Sequence, residues 1–252
     1  MTALRHIPAL LCLGVFVFSS TQAADLSTKA ERTDYAETGR YAEVQSLCKA
    51  FADAHPDQVR CFSFGTSADG RDMLVLAANM QGKLTPEAAQ AAKLPVTLIQ
   101  GGIHAGEIDG KDAGFLVLRE LLENPGAGNP LNKQVLLFVP VFNVDGHERF
   151  AAWNRPNQRG PKEMGWRTTA QNYNLNRDYA KVDTPEMAAM LQLVNAWDPL
   201  FYVDLHVTNG AKFQHDISVQ IEPIYSGDPA LRAISKQSQD SVLADLNSKG
   251  AL

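Results

Sequence analysis

Three short stretches of the chain are apolar almost without a break: "LPVTLIQGG" (94–102), "NKQVLLFVPVFN" (132–143) and "PLFYVDLHV" (199–207). Runs of this length, bounded by Gly, Pro or Asn, predict strands buried on both faces. "VRCFSFGTSADGRDMLVLAAN" (59–79) predicts two strands around an Ala-Asp-Gly turn, and the alternation in "DISVQIEP" (216–223) predicts another strand. Helical spacing appears between them. Tyr41, Val44, Leu47, Cys48 and Phe51 mark one face of a helix that ends at His55-Pro56. Phe115, Leu118 and Leu122 mark a second helix within 108–124. "TPEMAAMLQLVNAW" (184–197) starts with an N-cap threonine and a first-turn proline, and "DPALRAISKQSQDSVLADLNS" (228–248) predicts a further helix. Strands alternating with helices predict a three-layer α/β/α domain with a mostly parallel or mixed central sheet.

Residues 143–180 break the pattern. They are polar, rich in Asn, Arg and Gly, and show no clear period. A connection this long in a compact domain is functional or disordered. Trp153, Trp166 and Tyr173 favour an ordered segment, because disordered segments are poor in aromatics.

The composition is that of a globular protein: 252 residues, 45% hydrophobic and 20% charged, with a net charge of −5. No basic run or stripe is present, which argues against a nucleic-acid partner. Residues 1–23 stand apart. A positively charged start, the apolar run "IPALLCLGVFVF" and the small residues before Ala23 predict a secretory signal peptide cleaved after Ala23. The apolar run is too short to span a bilayer, which takes roughly 20 residues. The expectation is therefore an exported protein, periplasmic or extracellular, without a membrane anchor once the signal is removed, its domain occupying 24–252. Cys48 and Cys61 remain after cleavage. An oxidising compartment permits a disulfide between them, and two buried thiols fit the pattern equally well.

The candidate chemistry lies past two strand ends. In open α/β sheets, sites form outside the carboxyl ends of strands, and both His104 and His206 fall there. His104 and Glu107 lie three residues apart on the turn after one strand; His206 ends another. Two imidazoles and one carboxylate are a common protein ligand set for a catalytic zinc, and the same set accepts other first-row ions. Of the other histidines, His6 lies in the signal and His55 precedes a proline, while His147 and His215 lie in polar surroundings. The chain has no G-x-S-x-G nucleophile elbow and no suitable cysteine nucleophile.

"GGIHAGE", "VPVFNVDG", "GWRTT", "NLNRDY" and "DLH", together with "FGTSADGRDMLVL", occur in an order that resembles the zinc carboxypeptidase family, the carboxypeptidase A-like metallopeptidases, over roughly residues 33 to 222. The resemblance implies one zinc ion per chain held by His104, Glu107 and His206, and hydrolysis of the C-terminal peptide bond of peptides by a metal-bound water. It implies that Arg167 stabilises the oxyanion, with Arg155 and Arg159 as fallbacks across a variable loop. It also implies that Asn176 and Arg177 grip the free C-terminal carboxylate of a peptide substrate, a task suited to a planar guanidinium.

Two departures qualify the likeness. Where the family often has an aspartate bonded to a ligand histidine, this chain has Asn174, whose amide oxygen can accept an imidazole N–H without adding charge. Asp204, two residues before His206 and on the same strand face, is a second candidate for that support. The family's general base, a glutamate, falls on a strand well after the third ligand. It is expected beyond Leu252, which implies a domain incomplete at its C-terminal side. The alternatives are a zinc- and peptide-binding relative without the base, and an amidase or deacylase on the same scaffold acting on cell-wall peptides.

Overall fold

The computed structural model describes residues 25–251. The helices are α1 (Lys29–Arg32), α2 (Tyr41–Ala54), α3 (Pro86–Ala91), α4 (Asp109–Glu123), α5 (Val144–Glu148), α6 (Pro185–Trp197) and α7 (Pro229–Ser248). The strands are β1 (Val59–Thr66), β2 (Asp72–Ala78), β3 (Val96–Gln100), β4 (Val135–Val139) and β5 (Phe201–Asp204). The chain divides into two units: residues 25–154 with 161–206, and residues 155–160 with 207–251.

The first unit is built on a five-stranded sheet of order β1-β2-β4-β3-β5. The β1–β2 and β2–β4 pairs are antiparallel, and β3 runs parallel to both β4 and β5. The sheet is thus mixed. Neighbouring residues on β1 show that helices cover both faces, because successive side chains of a strand point to opposite sides. Cys61 is disulfide-bonded to Cys48 of α2. Phe62 stacks on Trp197 of α6, with ring centroids 6.4 Å apart. Phe115 of α4 lies on the α2 side, between Phe51 at 5.8 Å and Phe138 of β4 at 5.3 Å. This line of aromatic rings joins α2 and α4 to the middle of the sheet and forms the centre of the core.

The helices follow the sequence pattern closely. Tyr41, Val44, Leu47, Cys48 and Phe51 are all buried on α2, as are Phe115, Leu118 and Leu122 on α4. Thr184 caps α6, its hydroxyl accepting the Met187 N–H, and Pro185 occupies the first turn. The long polar segment is ordered around α5, an isolated bridge between Ala151 and Met164, and a 3₁₀ turn at Leu175–Arg177.

The strand predicted at 216–223 does not form. The segment is irregular, and its Asp216 and Ile217 N–H groups donate to the Ala251 carbonyl instead of to a ladder. Alternating apolar residues make a strand only where a neighbouring strand supplies hydrogen bonds, and no ladder forms on this segment. In the second unit α7 is capped by Asp228, whose carboxylate accepts the Ala230 N–H; Ser235 is its one buried residue.

Candidate metal centre

Strands β3 and β5 lie side by side, with Gln100 opposite Asp204 in the parallel register. Their carboxyl ends are therefore level. Past β3 the chain needs two glycines. A Cβ on Gly101 would approach the Pro140 carbonyl oxygen to 2.8 Å, and Gly102 has φ +64°. The turn then closes with the Glu107 N–H donating to the His104 carbonyl at 2.9 Å, which sets the two side chains together. Past β5 the chain delivers His206.

The three side chains meet. The Glu107 carboxylate lies between the histidines, Oε1 3.0 Å from His104 Nδ1 and Oε2 3.0 Å from His206 Nδ1. The two imidazole rings are 5.0 Å apart. One donor atom from each of the three residues falls within 4.8 Å of the others. Glu107 and His104 are buried, and the His206 side chain is 35% exposed, so the group opens on its His206 side. On the far side of His206, Asp204 Oδ2 lies 2.8 Å from Nε2. Asp204 first, then Glu107, push the His206 imidazole up to about 9.

The residues fit a divalent metal. Two imidazole nitrogens facing one carboxylate at close range are the donor set zinc takes in hydrolytic sites. Nδ1 of His104, facing Glu107, is the ring nitrogen placed to take the metal, while Nε2 is buried without a hydrogen-bond partner.

Arg167 is brought to the same place: its Nη1 lies 3.7 Å from Glu107 Oε1. The "NVDG" stretch explains how. Asn143 caps α5 through the Gly146 N–H at 3.0 Å and donates from its amide nitrogen to the Arg167 carbonyl at 3.2 Å. The Trp166 N–H donates to the Gly146 carbonyl at 2.7 Å. A Cβ on Gly146 would come within 2.5 Å of the Thr168 carbonyl, so only glycine admits this loop. Asp145, fully buried, accepts from Ser67 Oγ at 2.8 Å and from the Asp69 N–H at 3.0 Å, and pairs with Arg71. It thereby ties the β1–β2 turn to α5. Asn143 and Asp145 escaped the reading of the sequence as functional supports, although the motif containing them stood out.

The remaining candidates are placed differently. Asn174 turns its amide oxygen to the Asn176 N–H at 3.1 Å, capping the 3₁₀ turn, and does not reach the partnerless His104 Nε2. Arg177 is exposed and donates to the Asn176 carbonyl at 2.6 Å. Arg155, in the second unit, bonds Gln158 and Asn209. His147 is buried in α5, His55 caps the end of α2, and His215 bonds Ser218 in the second unit.

Fold and site together define an α/β/α protein with a His-Glu-His group past the carboxyl ends of two adjacent parallel strands. Comparison with known sequences makes the assignment specific: residues 44–246 match the model of the zinc carboxypeptidase family, and the chain belongs to that family. It is 31% identical to human carboxypeptidase Z over 147 residues, which is 55% of this chain and 21% of that protein. It is 24% identical to carboxypeptidase D of Drosophila melanogaster over 183 residues, 68% of this chain and 12% of that one. The chain thus spans only 21% and 12% of the length of these relatives. Among solved structures, bovine thrombin-activatable fibrinolysis inhibitor superposes with a TM-score of 0.63 at 18% identity, over 87% of this chain and 75% of that one. A putative carboxypeptidase A from Shewanella denitrificans gives 0.53 at 23% identity, over 70% and 42%. These likenesses establish the carboxypeptidase fold. Among the described residues, no helix is long and apolar enough to cross a membrane. The predicted signal peptide lies outside the described residues.

Proposed function

We propose that this chain carries the metal and substrate-carboxylate sites of an exported zinc metallocarboxypeptidase, which removes the C-terminal residue of peptides. The observation that carries this reading is the meeting of His104, Glu107 and His206 from two strand ends, with Asp204 bonded behind His206. These three residues hold one zinc ion per chain. When bound, zinc supplies Lewis acidity toward a carbonyl oxygen and lowers the pKa of water.

The other roles belong to the protein. Asp204 fixes the orientation of the His206 ring and raises its basicity as a ligand. Arg167, held beside Glu107 by the Asn143 and Gly146 contacts, provides a fixed positive charge for an oxygen that gains charge during the reaction. Asn176 and Arg177 receive the free carboxylate of the peptide, and Arg177 is exposed and available for it. No residue of the chain is assigned as general base. Export to the periplasm or the cell exterior follows from the predicted signal peptide and accords with the Cys48–Cys61 disulfide.

Calorimetry on zinc-loaded protein tests the substrate reading, using an N-acylated dipeptide and the same dipeptide with a C-terminal amide. The free acid should bind at least about tenfold more tightly, the difference a charge-assisted pair of contacts makes. Equal binding would overturn the carboxylate assignment. Release of the terminal amino acid marks an enzyme, and tight binding without release marks a peptide-binding relative.

A further inference from the structure

Three side chains distant in sequence form a closed ring of hydrogen bonds under the site. Gln100 Nε2 donates to the Tyr179 hydroxyl at 3.1 Å. The Tyr179 and Tyr202 hydroxyls lie 2.7 Å apart. The Tyr202 hydroxyl donates to Gln100 Oε1 at 2.7 Å. Tyr202 spends its proton on Gln100, so Tyr179 donates to Tyr202, and all three bonds run in one sense around the ring. Each hydroxyl donates once and accepts once. Such rings strengthen one another, and losing one member weakens the rest.

What the ring joins gives it meaning. Gln100 is the last residue of β3, wholly buried, and lies four residues before His104. Tyr202 lies on β5, two residues before Asp204 and four before His206. The backbone reinforces this link, since the Leu205 N–H donates to the Gln100 carbonyl at 3.0 Å. Tyr179 belongs to neither strand. It follows the 3₁₀ turn that carries Asn176 and Arg177, two residues past Arg177. The ring is therefore a side-chain tie between the turn proposed to hold the substrate carboxylate and the strand ends that carry the metal group.

We propose that Gln100, Tyr179 and Tyr202 are positioning residues that hold the Asn176–Arg177 turn in register with the His104–Glu107–His206 group. A carboxypeptidase needs a fixed span between the two sites, because a single Cα separates the terminal carboxylate from the nitrogen of the bond to be cut. A displacement of about 1 Å at such a distance is enough to cost on the order of 100-fold in rate. The proposal rests on the carboxypeptidase reading for its purpose, and on the ring geometry for the tie itself.

Tyr179→Phe, Tyr202→Phe and the double variant test it by two separate measurements. The first needs neither metal nor peptide: amide exchange of Arg177 and Asp178, whose N–H groups close the 3₁₀ turn. Each single variant should speed that exchange at least fivefold and leave α6 unchanged, and the double variant should add little, because either change opens the ring. Unchanged exchange, or single effects that simply multiply, would overturn the tie. The second measurement is the ratio of free-acid to amide dipeptide affinity in zinc-loaded protein. The singles should lower this ratio about tenfold at unchanged zinc affinity, a split that general loosening of the fold would not give. A lowered zinc affinity with an unchanged ratio would overturn the positioning role. Faster exchange in a protein whose wild type does not discriminate acid from amide would keep the tie and refute the carboxypeptidase reading.

Discussion

His147 offers a direct test of the energetics beneath the His104–Glu107 turn. Its imidazole is fully enclosed in α5, with Nε2 3.2 Å from the Gly39 carbonyl and Nδ1 3.4 Å from the Ala105 carbonyl. Burial first, then the charge of Lys111, hold it down at about 3 against an ordinary value of 6.5. The folded value is depressed, so folding favours the neutral ring. The stabilisation is complete above about pH 6.5 and is lost as the pH falls toward about 3. Each pH unit inside that window costs about 1.4 kcal/mol, so roughly 2 kcal/mol is lost between about pH 6 and about pH 4.5. Urea unfolding of the wild type and of His147→Gln across this range gives the comparison, since carboxylates contribute equally to both. The wild-type curve should fall more steeply by about 1.4 kcal/mol per pH unit. Parallel curves would refute the reasoning, as would an NMR titration of His147 with a midpoint near its ordinary value. Should His147→Gln fail to fold, the NMR titration of the wild type decides alone.

Two further outcomes follow from the same geometry. Cys48→Ser/Cys61→Ser opens a bridge between residues 13 apart in sequence. The double variant should lose about 3 kcal/mol in denaturant unfolding, the chain-entropy value for a loop of this size, and a loss below about 0.5 kcal/mol would speak against the bridge. Asp204→Asn removes the charge behind His206 while keeping the shape. Zinc affinity, read by competition with a chelator, should weaken about 10- to 100-fold, and an unchanged value would deny Asp204 its supporting role.

Much of the fold was legible because its signals are local. The buried faces of α2 and α4 repeat at helical spacing, and the cap of α6 is written in Thr184-Pro185. The failed strand at 216–223 shows the limit, because alternation is a local property and a ladder is not. Helix α5 was missed for a related reason: five residues are too few to show a period. His147 looks polar in sequence, and its burial comes from Gly39, just before α2, and Ala105, in the turn after β3, packing over it. Within the candidate site, a spacing of three made His104 and Glu107 only a weak pair on their own; the expectation that they meet His206 came from both histidines lying past strand ends and from the ordered motifs between them. The side-chain direction of Asn174 was not, because a capping bond to the Asn176 N–H competes locally with any reach toward His104. The Gln100–Tyr179–Tyr202 ring left no trace in the sequence, since its members come from three separate segments.

Metal content measures the central claim most directly. Protein loaded with zinc, dialysed and assayed by atomic emission should carry one zinc per chain. His104→Ala, Glu107→Ala and His206→Ala should each carry far less while keeping the wild-type circular dichroism. A folded wild type without stoichiometric zinc, or folded variants that keep it in full, would contradict the account.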